Sequence, residues 1–208
     1  MKNILLGATA IALLAGAPAP AFADAGDWLV RLRAISVMPN ESADIDTIGG
    51  DVDIDTSVVP ELDITYFVQD QWAVELILGV TPHDVTAVGT ALGDVDLGDV
   101  TLLPPTLTLQ YHFNPEGTVR PYAGVGVNYT AFFDEDLPAG TTLTSIDYDA
   151  SFGLAAQVGA DFEVAPDWFI NVDAKYIDIN TDVTINGAIN ADVDIDPWVL
   201  GVGIGRRF

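Results

Sequence analysis

The sequence predicts an all-β chain, an eight-stranded antiparallel transmembrane β-barrel with short periplasmic turns and long extracellular loops. Three observations predict it. Each of the four tryptophans opens a stretch in which apolar residues alternate with small or polar ones: Trp28 leads Val30 and Leu32, Trp72 leads Val74, Leu76 and Leu78, Trp168 leads Ile170 and Val172, and Trp198 leads Leu200, Val202 and Ile204. In every case the Trp shares the parity of the apolar residues, so it lies on the same strand face, as at the lipid–water boundary of a barrel wall. Half of the residues are hydrophobic, yet no stretch after the N-terminus reads as a membrane-spanning helix, so the apolar content is distributed in alternation. Finally, the connections alternate between short and long.

The N-terminus reads as an export signal. Lys2 precedes an apolar run from Ile4 to Ala15, then Pro18, Pro20 and Ala21-Phe22-Ala23. That is a basic head, a hydrophobic segment too short to span a bilayer and a small-residue cleavage site. Residues 1–23 are therefore expected to be removed, leaving one barrel domain over 24–208. Its strands are expected at 27–38, 58–68, 72–81, 102–113, 120–133, 151–163, 168–179 and 196–208. Gln69-Asp70-Gln71, Asn114 to Val119 and Val164 to Asp167 make the short turns; 39–57, 82–101, 134–150 and 180–195 make the long loops. A soluble β-sandwich is the competing reading. There is no cysteine, so neither disulfides nor thiolate metal sites arise. A formal charge of −24 argues against nucleic-acid binding, which needs a basic stripe.

Several segments resemble the outer membrane protein W (OmpW) family. They include Leu103-Pro104-Pro105-Thr106-Leu107, Arg120-Pro121-Tyr122-Ala123-Gly124, Gly126-Val127-Asn128-Tyr129-Thr130 and Phe132-Phe133-Asp134. Gln157-Val158-Gly159, Asp167-Trp168, Tyr176-Ile177-Asp178, Asp196-Pro197-Trp198 and the terminal Arg207-Phe208 complete the set. The resemblance runs in order over nearly the whole mature chain, excluding the loops. It implies a barrel in the Gram-negative outer membrane, in contact with its lipid, and a proposed role in letting small hydrophobic molecules cross. Arg206 departs from it, standing where the family usually carries an aromatic. Phe208 keeps the terminal aromatic by which the barrel assembly machinery typically recognises such chains.

If the Trp parity faces lipid, the opposite parity faces inward. Arg31, Arg33, Arg120, Lys175 and Arg207 all fall on it, with Asp63, Glu75, Asp161, Glu163 and Asp173. Charge at mid-depth on the lipid face costs roughly 2–4 kcal/mol, whereas inside it pairs. Arg206 alone faces outward, at a strand end where it can snorkel. Strand direction then sets height. Arg31, Arg33, Glu75, Arg120, Asp161, Asp173, Lys175 and Arg207 are expected to form a salt-bridged plug in the lower lumen. Ile35, Val37, Ile77, Phe132, Ile177 and Val199 are expected to line an apolar cup above it. Trp28, Trp72, Trp168, Trp198 and Phe208 are expected at the membrane interfaces.

A cup above a plug passes a molecule only sideways, and that needs a break in the wall. Pro39, Pro60, Pro82, Pro104 and Pro105 cluster toward the extracellular ends of the first four strands, and proline donates no ladder hydrogen bond. Pro60, Pro104 and Pro105 are the candidates for a lateral opening, against the plainer reading that prolines merely end strands.

The loops carry no Lys or Arg and repeat an acidic alternation, Asp51-Val52-Asp53-Ile54-Asp55 and Asp192-Val193-Asp194-Ile195-Asp196, with Gly93-Asp94-Val95-Asp96-Leu97 close to it. An EF-hand would need Gly and Glu where Thr56 and Leu62 stand. Strands extending past the membrane with a solvated acidic face fit better. Weak binding of divalent cations at the loops is the alternative, and no cofactor or dedicated metal site is expected. His83 lies just past a strand top, but no Ser or other nucleophile completes an acyl-transfer set, so an enzyme is not expected. His112 is expected inside the plug. The competing function is a structural or surface-interaction barrel with a closed lumen.

Overall fold

The computed structural model describes residues 25–141 and 143–208; the expected export signal lies outside them. The chain order begins β1 (Trp28–Met38), β2 (Ser42–Ile45), β3 (Asp51–Ile54), β4 (Ser57–Gln69), β5 (Trp72–Gly79). It continues β6 (Thr81–Thr90), β7 (Gly93–Leu103), β8 (Thr106–His112), β9 (Val119–Asp136), β10 (Ile146–Tyr148). The last five are β11 (Ser151–Ala165), β12 (Trp168–Ile177), β13 (Asn180–Ile185), β14 (Ile189–Asp194) and β15 (Trp198–Arg207). Alternation dictates the strands: β1 exposes Leu32 while burying Arg31, Arg33, Ile35 and Val37. In a soluble protein that inversion would be absurd. In lipid it is required, because the exposed face meets hydrocarbon and the charges need partners.

Eight strands close a barrel wall in the order β1-β4-β5-β8-β9-β11-β12-β15, every neighbour antiparallel. The seam that closes it runs from Leu29↔Arg207 to Met38↔Trp198. Closure leaves no unpaired backbone edge in hydrocarbon, which an open sheet could not avoid.

Two boundaries differ from expectation. The segments 82–101 and 180–195 are largely strand, and 39–57 and 134–150 contribute the short strands β2, β3 and β10; together they build two sheets above the membrane, β10-β13-β14-β2 and β3-β6-β7, the latter continuing onto the top of β9. The acidic repeats cause this, since Val52, Ile54, Val193 and Ile195 turn inward while Asp51, Asp53, Asp192 and Asp194 face water. The expected strand 102–113 is two strands, β7 and β8, because Pro104-Pro105 supplies no ladder donor and the chain above it turns to pair with β6.

Candidate functional site

The lower lumen is a layered network of buried charge. Arg31 of β1 is fully buried and grips Asp161 of β11 with two bonds, Nε to Oδ1 at 3.0 Å and Nη2 to Oδ2 at 2.6 Å. Its Nη1 reaches Glu75 of β5 at 2.6 Å and Thr65 of β4 at 2.8 Å. One register step up, Arg33 lies between Glu61 (3.0 Å), Asp63 (2.5 Å) and Asp173 (3.3 Å). Lys175 bridges Glu61 at 2.7 Å and Asp173 at 3.0 Å. Neutral groups take the remaining bonds: Tyr122 donates to Asp173 at 2.8 Å, Asn171 to Asp161 at 2.9 Å, and Gln157 to Thr108 at 2.9 Å. Arg31, Arg33, Glu75, Asp161, Asp173 and Lys175 thus meet in one cluster. Such bonding is what makes buried charge tolerable.

Arg120 and Arg207 belong to a separate, lower tier. Arg120 pairs with Glu163 at 2.6 Å and lies 4.7 Å over the Phe169 ring. Arg207 lies over Phe67 and Phe169 at 5.5 and 5.1 Å, with Asp27 at 4.0 Å. Phe67 also packs on His112, which packs on Tyr122, so aromatic rings flank the junction of the two tiers, where Arg120 stands across from Asp161 in the β9–β11 ladder. His112 is buried and bonded to Gln110 at 3.1 Å.

Several contributors have weak sequence signals. Glu61 is one, standing beside Pro60 at a strand top. The inward glycines of β15 are others. At Gly203 a Cβ would stand 2.6 Å from Arg33 Cγ and 2.7 Å from its Cα, and at Gly205 it would stand 3.0 Å from Arg31 Cγ. The glycines are the space in which the two arginines lie. The available signal was the every-second-residue Gly run 201, 203, 205 beside a strand carrying Arg31 and Arg33.

Above the plug the lining turns apolar. Ile35, Val37, Ile177 and Val199 are buried in one cluster that continues into Val85, Leu102, Val183 and Val193 of the outer sheets, with Phe132 half-buried against it; Ile77 is buried and borders the lower void. Two voids of about 30 Å³ each remain. The upper lies between the two outer sheets; the lower is bounded by Ile35, Ile77, Gly79, Pro104, Val199 and, on its floor, Glu61. The outer sheets meet without a ladder at two places. Between β2 and β3, Asp51 accepts from Ala43 N at 2.7 Å and Glu41 from Ile54 N at 3.1 Å. Between β9 and β10, Phe132 stacks on Tyr148 at 5.4 Å.

The wall is interrupted beside the lower void. The β5–β8 ladder ends at Ile77↔Thr106, and the β6–β7 ladder starts at Thr81↔Leu102. Val80, Pro104 and Pro105 lie between, in no strand. On the β9 side the chain stays tied, with Tyr129 N donating to Pro105 O at 3.1 Å and Asn128 Nδ2 to Pro104 O at 3.1 Å. The unpaired side therefore faces β5. Pro60 sits on β4 one residue above Glu61↔Gly79, the topmost β4–β5 pair.

Outside, aromatic rings form girdles at both ends of the wall. Trp28 with Tyr66 (4.8 Å) and Trp72 with Tyr111 (5.0 Å) mark the lower edge, and Trp198 with Tyr176 (5.4 Å) the upper. Trp168 and Phe208 hold Arg206 between them, its guanidinium 5.4 and 5.0 Å from the two rings. A closed eight-stranded antiparallel barrel, apolar outside and charged within, ringed by aromatics, is an outer-membrane β-barrel protein.

The OmpW family profile matches residues 24–208. Outer membrane protein W of Vibrio cholerae is 36% identical over the full length of both chains. The dibenzothiophene metabolism operon protein PahQ of Pseudomonas aeruginosa is 34% identical over 91% of this chain and 92% of that one. The crystal structure of the outer membrane protein OprG from Pseudomonas aeruginosa superposes with a TM-score of 0.82 at 35% identity, over 89% of this chain and 97% of the other. The chain belongs to the OmpW family, and its place is the outer membrane.

Proposed function

We propose that this barrel admits small hydrophobic molecules into the apolar upper lumen and releases them sideways into the bilayer through the interruption bounded by Pro60, Pro104 and Pro105. One observation carries the reading: the lower void touches Gly79 and Pro104 at the level where the wall lacks its ladder, directly above the charged plug. A molecule stopped by the plug has hydrocarbon within reach on that side. The relative named for a dibenzothiophene metabolism operon supports the reading, since dibenzothiophene is an apolar heteroaromatic. At about 30 Å³ each the voids hold little more than water, so passage requires the outer sheets to part. The two unladdered junctions, β2/β3 and β9/β10, are where they would part most easily.

Uptake of naphthalene by cells carrying the intact protein, compared with cells lacking it, tests this. Val199→Phe, filling the lower void, should remove the acceleration while the barrel still inserts. So should Pro104→Val with Pro105→Thr, which restores two ladder donors. Uptake equal to that of empty cells, with normally inserted protein, would overturn the conduit.

That result would favour the second reading, a closed surface barrel, which the tight packing of the cup supports. Its acidic outer face would then carry the function. Among the described residues no three His, Asp or Glu side chains converge as a metal site, so cation binding there would be diffuse.

A further inference from the structure

Between the two apolar voids stands one imidazole. His83 of β6 is 5% exposed and borders both. Its Nδ1 lies 2.7 Å from the carbonyl oxygen of Asp55. A carbonyl only accepts, so Nδ1 carries the proton and donates. That assignment leaves Nε2 as a bare acceptor. The bond from Nδ1 to the Asp55 carbonyl is the hydrogen bond that the ring makes among the described residues. Burial holds the imidazole below its ordinary pKa, outweighing the Asp55 carbonyl and the Asp55, Asp84 and Glu41 carboxylates that pull it upward. The ring is therefore neutral at neutral pH, and Nε2 keeps its lone pair.

The geometry points to His83 Nε2 as a selectivity element for apolar molecules that carry one hydrogen-bond donor, such as phenols, indoles and small alcohols. This rests on the conduit reading of the same lumen. A ligand donor can bond an acceptor on the lining of the voids, and a pure hydrocarbon cannot. A site that hydrogen-bonds one group disfavours analogues lacking it for that reason. The other polar groups of the lower void are occupied or weaker candidates. Thr106 donates to Pro104 O at 3.0 Å, and Glu61 is held by Lys175 and Arg33. Thr81, two residues earlier on the same face, offers a hydroxyl beside the same void.

The test pairs 1-naphthol with naphthalene, which differ by one hydroxyl. Cells carrying the intact protein should gain more in 1-naphthol uptake than in naphthalene uptake, by about threefold to tenfold, the range of one hydrogen bond. His83→Leu should abolish that preference. A second measurement does not depend on transport. The chain has only two histidines, so ¹⁵N-histidine labelling of the full barrel in nanodiscs gives two rings to follow. Adding 1-naphthol should shift the Nε2 signal that His83→Leu removes, and naphthalene should not. If neither probe enters faster than in empty cells while the Nε2 signal responds, the conduit fails and the binding site stands. If both probes enter equally fast, or Nε2 does not respond to 1-naphthol, the inference about His83 is overturned and the conduit is untouched.

Discussion

Replacing Arg31 by Met isolates the energetic centre of the plug. Met roughly preserves the length of the side chain and removes the charge and all four of its bonds, two to Asp161, one to Glu75 and one to Thr65. Each carboxylate keeps some support: Asp161 retains Asn171 at 2.9 Å, and Glu75 retains Thr65 at 2.7 Å and Gln157 at 3.2 Å. Asp161 loses both of its bonds to Arg31, whereas Glu75 keeps the longer pair with Arg33 at 3.8 Å. Breaking a buried pair by removing one partner costs about 3–5 kcal/mol, mostly because the surviving charge is stranded. The expected loss for Arg31→Met is of that size. Adding Asp161→Asn should return about 1–3 kcal/mol, because one stranded charge disappears with its partner. Urea unfolding in phospholipid vesicles, followed by tryptophan fluorescence, reads both. The cluster is buried, so raising salt should change the difference little. A loss below about 1 kcal/mol for Arg31→Met, or a double variant costing the full sum of the singles, would refute the account of the plug as a coupled network.

Other consequences follow from specific contacts. Gly203→Ala should destabilise by about 1–3 kcal/mol, because its Cβ would meet the backbone of Leu32 and Arg33, whereas Gly201→Ala, whose Cβ would meet side-chain atoms at 3.2 and 3.3 Å, should cost less; thermal unfolding of the two ranks them. Phe208→Ala should lower the amount of inserted barrel while leaving synthesis unchanged, measured by heat-modifiable migration of membrane fractions, if the terminal aromatic is the assembly signal. Lowering the pH from 7.5 to 5.5 should destabilise the intact barrel more than His83→Leu. The folded state holds that imidazole's pKa down, so the stability it contributes is present above the unfolded value and is lost as pH falls toward the folded one. Equal losses in the two proteins would show that folding does not hold the His83 pKa below its unfolded value.

Much of this architecture was legible because lipid inverts the usual pattern. A strand such as Trp28–Met38, with Leu outside and Arg inside, has one physical solution, and strand parity put Arg31, Arg33 and Lys175 on one face, although Glu61, which holds two of them, was not drawn from it. Parity also carried Asp51 to Asp55 and Asp192 to Asp196, whose alternation is that of strand and not of loop. What parity cannot give is depth and neighbourhood. Arg120 and Arg207 share the inward face with Arg31, yet they lie against the rings of Phe169 and Phe67 at the junction below it, because barrel tilt and stagger set which residues on different strands share a level. Gly203 was opaque for the same reason. Its meaning depends on lying across from Arg33 in the β1–β15 ladder, a register fixed only when the barrel closes. His83 was visible as a residue but not as an acceptor, since the Asp55 carbonyl that fixes its tautomer comes from another strand connection.

The plug and the interrupted wall constrain each other. Eight strands enclose room for little beyond their own side chains, and here Arg31, Arg33 and Lys175 with their carboxylates fill it across the lower half. That cluster ties β1, β4, β5, β11 and β12 together through side chains, so the wall does not depend on an unbroken ladder at every height. The ladder fails above this zone, at Val80 and Pro104-Pro105, with Asn128 bracing the proline carbonyls from the β9 side. Weakening the plug should therefore loosen the lower barrel and spare the geometry at the prolines. Restoring donors at 104 and 105 should act the other way, changing passage while leaving stability nearly constant. Were the two effects to appear together in either variant, the plug and the opening would be one mechanical unit, and the division of labour argued from their separate heights would fall.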